Sequence, residues 1–175
     1  MQQDLKVLFS EQKIAARVAE LGAEISEDYQ DRDLAIVGVL KGSFIFLADL
    51  VRKISVDCTV DFLGLSSYGR RQSMGGVVQI TSDLTLPIRE RDVLIVEDIV
   101  DTGLTIRYLI ENLETRKPRS IAVCSLLERE LTDGSDCAVS IMYSGFTFRE
   151  HYVVGYGLDY AGLHRNIPFV GYRTT

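Results

Sequence analysis

Three carboxylates and a short polar turn lie close together near the middle of the chain, in the stretch VLIVEDIVDTGLTI from Val93 to Ile106. Apolar residues lead directly into Glu97 and Asp98, and Asp101 follows after two more apolar residues. Two like unit charges about 4 Å apart repel by about 4 kcal/mol at an effective dielectric constant near 20. The acids therefore need water, a cation or hydroxyl donors opposite them, unless they simply belong to a solvated acidic loop.

The residues after the acids have the composition of an anion-binding turn. The sequence from Asp101 to Thr105, DTGLT, places two hydroxyls and a glycine at the start of a predicted helix. Unpaired backbone N–H groups and the positive end of the helix dipole attract anions at such a position. An acidic rim thus lies beside a phosphate cup. A ligand with sugar hydroxyls and a phosphate would satisfy both, with Mg²⁺ bridging the remaining negative charge.

Alternating strands and helices explain how the acids would be positioned. Short runs rich in branched apolar residues predict buried strands at Leu34–Leu40, Val93–Val96, Ile121–Leu127 and Val153–Tyr156. Helical periodicity follows Ser10, a predicted N-cap, and it recurs after each of the next two strands. This alternation predicts an α/β fold with a parallel sheet and right-handed crossovers. Ligands bind beyond the carboxyl ends of such strands, which is where the acids lie.

Composition and charge limit the class of protein. The chain has 175 residues, of which 46% are hydrophobic and 25% charged, enough apolar material for one globular domain with its own core. A net charge of -6 disfavours binding to nucleic acid or to an anionic membrane, since both require a basic face. Three cysteines without CxxC spacing favour a reducing compartment. With no signal peptide and no apolar run of about 18 residues in the sequence, we expect a cytoplasmic protein.

Other motifs find little support in the sequence. The triplet Asp101-Thr102-Gly103 also occurs in aspartic proteases, but that chemistry needs two aspartates that share a proton. The chain has a single such triplet, so a homodimer would have to supply the second. The sequence contains no G-x-x-x-x-G-K-[ST], no G-x-G-x-x-G and no G-x-S-x-G, which disfavours NTP hydrolysis, dinucleotide binding and a serine hydrolase. His151 and His164 are too few and too scattered to build a zinc site.

The stretch VLIVEDIVDTGLT resembles the phosphoribosyl diphosphate (PRPP) motif of type I phosphoribosyltransferases, in which a hydrophobic strand, two acids and D-T-G-x-T occur in that order. Further matches resemble the hypoxanthine/guanine branch and extend over most of the chain. VLKGS at Val39–Ser43 is similar to the pyrophosphate loop, and SSYG at Ser66–Gly69 to the mobile catalytic loop. VVGYGLDY at Val153–Tyr160 is similar to the segment that contacts purine and metal.

The resemblance implies a role for each residue of the PRPP site. Glu97 and Asp98 would hold the ribose hydroxyls, and Asp101 would act as general base at purine N7. The 5-phosphate would lie in a cup formed by Asp101, Thr102, Gly103, Leu104 and Thr105. Pyrophosphate would be bound by Lys41, Gly42 and Arg165, with Lys41 also assisting catalysis. Metal contacts would come from Glu97, Asp98 and Asp159.

The resemblance also implies a lid and a purine pocket. Ser67 and Tyr68 would take part in catalysis from a polar, glycine-rich loop, Ser66–Gly76, that closes over the reactants and excludes water. The purine would be contacted by Arg129, Tyr152, Val153 and Asp159. Arg129 stands where the family usually has a lysine that donates to purine O6. The preference among hypoxanthine, guanine and xanthine is therefore left open.

As a whole, the resemblance implies a cytoplasmic purine-salvage enzyme that joins a 6-oxopurine to PRPP with Mg²⁺ and forms a homodimer or homotetramer. The fold would be an α/β parallel sheet of about five strands flanked by helices. A small hood would come from the approximate segments 1–10 and 128–175 of a single domain, 1–175. Two alternatives remain open from the sequence, a PRPP-sensing regulatory protein of the same fold and, remotely, a dimeric aspartic protease.

Overall fold

The computed structural model describes residues 5–68, 77–130, 137–149 and 151–173, in which the chain forms nine strands and three helices. The strands are β1 (Leu5–Phe9), β2 (Leu34–Leu40), β3 (Cys58–Tyr68), β4 (Val77–Ser82), β5 (Asp92–Val100), β6 (Ser120–Arg129), β7 (Tyr143–Phe148), β8 (Val153–Val154) and β9 (Val170–Arg173). The helices are α1 (Glu11–Asp28), α2 (Phe44–Val51) and α3 (Leu104–Glu114).

Six strands form the main sheet in the order β4-β3-β2-β5-β6-β7. Strand β4 is antiparallel to β3, and the other neighbours are parallel. Successive residues of β2 face opposite sides, so Leu34 and Ile36 pack with α1 and α2, whereas Ala35 and Val37 pack with α3. Both faces of the sheet are therefore buried, as the apolar run of β2 predicts. The predicted α/β fold with a parallel sheet flanked by helices is confirmed.

Helix α1 begins where the sequence predicts. The Ser10 side chain caps it by accepting a hydrogen bond of 3.3 Å from the Lys13 N–H, which satisfies one of the unpaired donors of the first turn. Its buried stripe includes Ile14, Val18 and Leu21, which pack in the core below the main sheet. None of the helices in the described ranges is long and apolar enough to cross a lipid bilayer.

A second, three-stranded antiparallel sheet joins the two ends of the chain in the order β1-β9-β8. The predicted strand Val153–Tyr156 is wrong in length and place, because only Val153–Val154 is extended and it pairs with β9. The fifth parallel strand is instead Tyr143–Phe148, which pairs with β6. The segment 128–175, predicted to build the hood, thus contains a strand of the main sheet.

Strand β5 is longer than the sequence predicts, and β3 includes residues that the sequence predicts to lie in a loop. Strand β5 continues past Val96 through both acids to Val100, because its backbone stays paired with β6 as far as Glu128. Strand β3 continues to Tyr68, which pairs with Val77 of β4. Residues 66–68 are therefore strand rather than loop. The remainder of the predicted lid, residues 69–76, lies outside the described residues.

Candidate active site

Glu97 is a buried acid with an unsatisfied oxygen. It lies in β5 opposite Ser125 of β6, and only 9% of its surface is exposed. Its Oε2 has no hydrogen-bond partner among the described residues. Burial raises the pKa of Glu97 well above its ordinary value, and the neighbouring charge of Asp98 raises it further. A buried carboxylate oxygen without a partner is costly, which makes this atom a candidate ligand contact.

Asp98 lies beside Glu97 and faces the loop that follows β2. Burial raises the pKa of Asp98 to about 6, while hydrogen bonds from backbone N–H groups and the positive charge of Arg165 act in the opposite direction. A Cβ added at Gly42 would overlap the Asp98 carboxylate, so any side chain there would displace that carboxylate. The acidic strand end and the predicted pyrophosphate loop are therefore in direct contact.

The predicted pyrophosphate loop also contacts the segment after β8. The carbonyl oxygen of Gly42 lies against the Cα of Gly157, leaving no room for a Cβ there. The loop is held in turn by Ser43, whose hydroxyl donates to the Val39 carbonyl at 2.6 Å. Lys41 precedes Gly42 and is exposed, with a cis peptide bond joining it to Leu40. Predicted site residues from three separate regions of the sequence thus meet at one edge of the sheet.

The predicted phosphate cup forms a cleft at the start of α3. The cleft has a volume of about 110 Å³, and its lining includes all residues from Ile99 to Ile106 together with Glu97. Gly103 adopts a left-handed conformation with φ of 76° and is the N-cap of α3, without a side-chain cap. Apart from that of Leu104, which makes a long contact of 3.5 Å to the Thr102 hydroxyl, the N–H groups of the first helical turn are therefore available to an anion in the cleft.

Arg165 and Asp159 form an ion pair beside Asp98. The Arg165 Nη2 atom is 2.5 Å from the Asp159 carboxylate, and its Nη1 donates to the Gly157 carbonyl at 2.6 Å. In the part of the chain that the structure describes, no three His, Cys, Asp or Glu side chains are grouped so as to hold a metal ion. Glu97, Asp98 and Asp159 therefore do not form a metal cage by themselves in these described ranges, and a metal bound there would need further ligands from a substrate.

One of the predicted purine residues, Arg129, lies beside the phosphate cup. The Nε atom of Arg129 is 3.2 Å from Oδ1 of Asp101. The residue predicted to contact the purine is therefore next to the residue predicted to act as general base. Tyr152 is 64% exposed, and its hydroxyl donates to the Asp159 carbonyl at 3.0 Å. Val153 is buried and has its backbone paired with Tyr172. Tyr152 therefore offers a free ring face, and Val153 anchors the segment.

The backbone of Ser67 and Tyr68 forms the end of β3 and is paired with β4. Two residues that sequence reasoning missed do join the site. Phe148 lies under the Arg129 guanidinium, with Cζ 4.6 Å from the ring centre. Tyr160 meets the Tyr152 ring edge-on at 5.7 Å. Only their proximity to the matched segments in sequence could have signalled them.

Comparison with known proteins gives consistent results. A family model described as "Phosphoribosyl transferase domain" matches residues 5–161. The chain is 46% identical to the hypoxanthine-guanine phosphoribosyltransferase of Mycobacterium avium over 175 residues, covering 96% of this chain and 85% of that protein. It is 43% identical to the hypoxanthine phosphoribosyltransferase of Escherichia coli K12, covering 98% and 96%. A crystal structure of a hypoxanthine phosphoribosyltransferase from Staphylococcus aureus superposes with a TM-score of 0.91 at 40% identity, covering 99% and 94%.

Proposed function

The chain belongs to the phosphoribosyltransferase family, and from that premise we propose that it is a purine-salvage transferase. It transfers the 5-phosphoribosyl group of PRPP to hypoxanthine or guanine, giving inosine or guanosine monophosphate and pyrophosphate. The relatives do not support a PRPP-sensing regulator. The aspartic-protease alternative is disfavoured because Asp101-Thr102-Gly103 leads into helix α3 of an α/β fold.

One observation carries the proposal: a buried acid without a partner lines the same cleft as an open helix N-terminus. Oε2 of Glu97 has no partner among the described residues, and Glu97 borders the cleft formed by Asp101–Thr105. A 5-phosphoribosyl group has hydroxyls for the acid and a phosphate for the backbone N–H groups.

The same acids suit the chemistry of the transferred group. When a glycosidic bond breaks, positive charge develops on the sugar in an oxocarbenium-like transition state. Carboxylates held close to that sugar stabilise the charge more in the transition state than in the ground state. Glu97 and Asp98 are therefore proposed both to bind the ribose hydroxyls and to stabilise the transition state.

Lys41, Gly42 and Arg165 are proposed to bind the departing pyrophosphate. Gly42 contacts Asp98, and Arg165 is close enough to influence the Asp98 carboxylate, so these groups border the ribose site. Mg²⁺ fits the donor set, because it is commonly held by one or two carboxylates plus substrate phosphates rather than by a protein cage. Glu97, Asp98 and Asp159 would hold it, and when bound it would neutralise charge on the pyrophosphate.

Asp101 and Arg129 are proposed to act on the purine. Asp101 accepts the N7 proton as the base attacks through N9, and Arg129 donates to the 6-oxo group beside it. A donor at this position disfavours adenine, whose 6-amino group is also a donor. Tyr152 stacks on the purine ring, Val153 contributes backbone contacts, and Asp159 borders the pocket through its carbonyl hydrogen bond with Tyr152.

Three further features belong to the proposal. Ser67 and Tyr68 contribute to a lid that keeps water from PRPP. The chain functions as a homodimer or homotetramer of single domains. All three cysteines, Cys58, Cys124 and Cys137, are free thiols, which is the usual state in a reducing compartment, and we assign the protein to the cytoplasm.

The decisive experiment measures inosine monophosphate formed from hypoxanthine, PRPP and Mg²⁺, with guanine, xanthine and adenine as competitors. We expect turnover with 6-oxopurines and little competition from adenine. Asp101→Asn should lower kcat by about 100-fold or more, the usual size of a general-base effect, while PRPP binding stays largely intact. No product with any of the four bases would refute the proposal.

A further inference from the structure

Arg129 is held on several sides by groups from three parts of the chain. Its Nε atom is 3.2 Å from Asp101 Oδ1. Its guanidinium lies over the Phe148 ring, with Cζ 4.6 Å from the ring centre. Its Nη1 and Nη2 atoms donate to the carbonyl oxygens of Arg149 and His151, at 3.3 Å and 3.4 Å. One side chain therefore connects the end of β6, the loop after β5 and the segment after β7.

These contacts depend on the shape of a guanidinium. Arginine has a rigid planar fork with five N–H bonds, whereas lysine has a single ammonium that acts as a point charge. A lysine ammonium cannot pair with Asp101, reach two carbonyls on different residues and stack on Phe148 at the same time. The Arg129 side chain is 25% exposed and that of Asp101 58%, so the arginine is the fixed member of the pair and the acid faces the open site.

The segment that Arg129 holds leads directly into the purine pocket. His151 precedes Tyr152 and Val153, and the Tyr152 hydroxyl is bonded to the Asp159 carbonyl at 3.0 Å. We propose that Arg129 is a positioning residue that fixes the Asp101 carboxylate relative to Arg149 and the purine segment 151–153. The inference rests on the proposed function. It adds that a single side chain, Arg129, aligns the purine with Asp101, the acceptor of the purine proton.

The arrangement also matches the edge of the base that carries the reacting proton. N7 and O6 are neighbours on one edge of a 6-oxopurine. Two of the five N–H bonds of Arg129 go to the carbonyls of Arg149 and His151, which leaves N–H groups for O6 while Asp101 meets N7. Arg129 can therefore contact the substrate and still orient the acid.

A double-mutant cycle on kcat tests the inference. Arg129→Lys retains the charge without the fork, and Arg129→Met removes both charge and donors while keeping the length. Each is made in the unmodified chain and in Asp101→Asn, and all are assayed with hypoxanthine, PRPP and Mg²⁺. Arg89→Lys is the matched control, because Arg89 is 66% exposed and pairs only with its neighbour Glu90 among the described salt bridges.

We expect both Arg129 variants to lower kcat by about tenfold or more, since small displacements of a catalytic group are costly. In the Asp101→Asn background the same changes should lower kcat by less than about threefold, because the group being positioned is gone. Arg89→Lys should leave kcat unchanged in both backgrounds. A role in folding alone would instead lower the thermal midpoint and reduce kcat equally in the two backgrounds.

Equal losses of kcat in the two backgrounds would overturn the inference and leave the proposed function intact. A change confined to KM for the base would do the same, because it would reduce Arg129 to a purine contact. If the unmodified chain formed no nucleotide from any 6-oxopurine, the proposed function would fail and the inference with it. The activity of the unmodified chain therefore separates the two failures.

Discussion

Strand β5 has a buried acid near each end, and the two are treated in opposite ways. At the amino end, Asp92 is 1% exposed and accepts hydrogen bonds from Ser120 at 2.6 Å and from Arg119 at 2.9 Å. Toward the carboxyl end, Glu97 is 9% exposed and its Oε2 has no partner among the described residues. The same strand thus holds one satisfied carboxylate and one unsatisfied carboxylate.

The difference between Asp92 and Glu97 distinguishes a buried acid that stabilises the fold from one that is suited to contact a ligand. A buried carboxylate with a cation and a hydroxyl donor stabilises the fold around it, whereas one without partners destabilises the fold until a ligand arrives. Asp98 has partners in backbone N–H groups and in the charge of Arg165, but burial outweighs them and raises its pKa to about 6. Ligands bind at the carboxyl ends of parallel strands. In this sheet the buried acids that lower the stability of the fold lie at that same end.

The largest expected effect is on activity at the carboxyl end. Asp98→Asn should lower kcat/KM for PRPP by about 100- to 1,000-fold, the range found when one group that stabilises transition-state charge is removed. The measurement is nucleotide formation at varied PRPP. Asp92→Asn is the matched control, with the same substitution in the same strand, and it should retain kcat/KM within about twofold. Similar losses in both variants would erase the distinction between the two ends.

The second effect is a pH dependence of stability that arises from Asp98. Its pKa is raised from 3.8 to about 6 in the folded chain. Between these values the folded chain holds more protons than the unfolded chain, so the free energy of unfolding decreases as pH rises. The full change is about 3 kcal/mol, because each tenfold difference in proton affinity between the two states corresponds to about 1.4 kcal/mol.

Denaturant unfolding from pH 4 to pH 8 measures this contribution as the difference between the unmodified chain and Asp98→Asn. The variant should gain stability relative to the unmodified chain as pH rises through about 6. Loss of the Asp98 charge also reduces the rise in the Glu97 pKa, which changes the difference in the same direction. Burial raises the pKa of Asp61, but hydrogen bonds from backbone N–H groups outweigh burial and lower it, so Asp61 makes the fold more stable as pH rises. This contribution is the same in both proteins and cancels when their free energies of unfolding are subtracted. A difference that does not vary with pH would show that Asp98 titrates normally.

The satisfied and unsatisfied acids also show what a sequence can reveal. The run of β2 and the stripe of α1 were predicted because apolar periodicity is local information, set by burial of one or two faces. The acids followed by DTGLT predicted a ligand because each part of the motif suits a different chemical group. The acids suit hydroxyls or a cation, and the turn suits an anion. These features do not depend on which distant segment comes to lie beside them.

What the sequence did not reveal depends on distant partners. Strand β7, YSGFTF, has no strong alternation, and its place is set by pairing with β6, where a Cβ on Gly145 would overlap the Leu126 carbonyl. The pairing of Arg129 with Asp101 joins two parts of the chain that no periodicity connects. Whether an acid such as Glu97 lacks a partner is likewise a property of the folded chain.

The third effect is stabilisation by ligand. PRPP with Mg²⁺ should raise the free energy of unfolding by about 2.7 kcal/mol at a ligand concentration of 100 Kd. The increase should persist in Asp92→Asn and be lost in Asp98→Asn at the same concentration, because only the latter alters the proposed ribose site. Thermal unfolding with and without ligand measures it. Equal stabilisation of the two variants would remove Asp98 from the binding site.

The smallest expected effect is at the amino end, where Asp92→Asn should lower the free energy of unfolding by about 2 kcal/mol at neutral pH. The amide keeps the shape of the side chain but loses the charge that pairs with Arg119 at 2.9 Å. Denaturant unfolding measures the change, and Arg119→Met tests the same contact from the other side. If the pair is the cause, the double variant should cost less than the sum of the single variants. Additive losses would mean that burial of Asp92 alone, rather than its partnership, distinguishes this end of β5 from the acids that await a ligand.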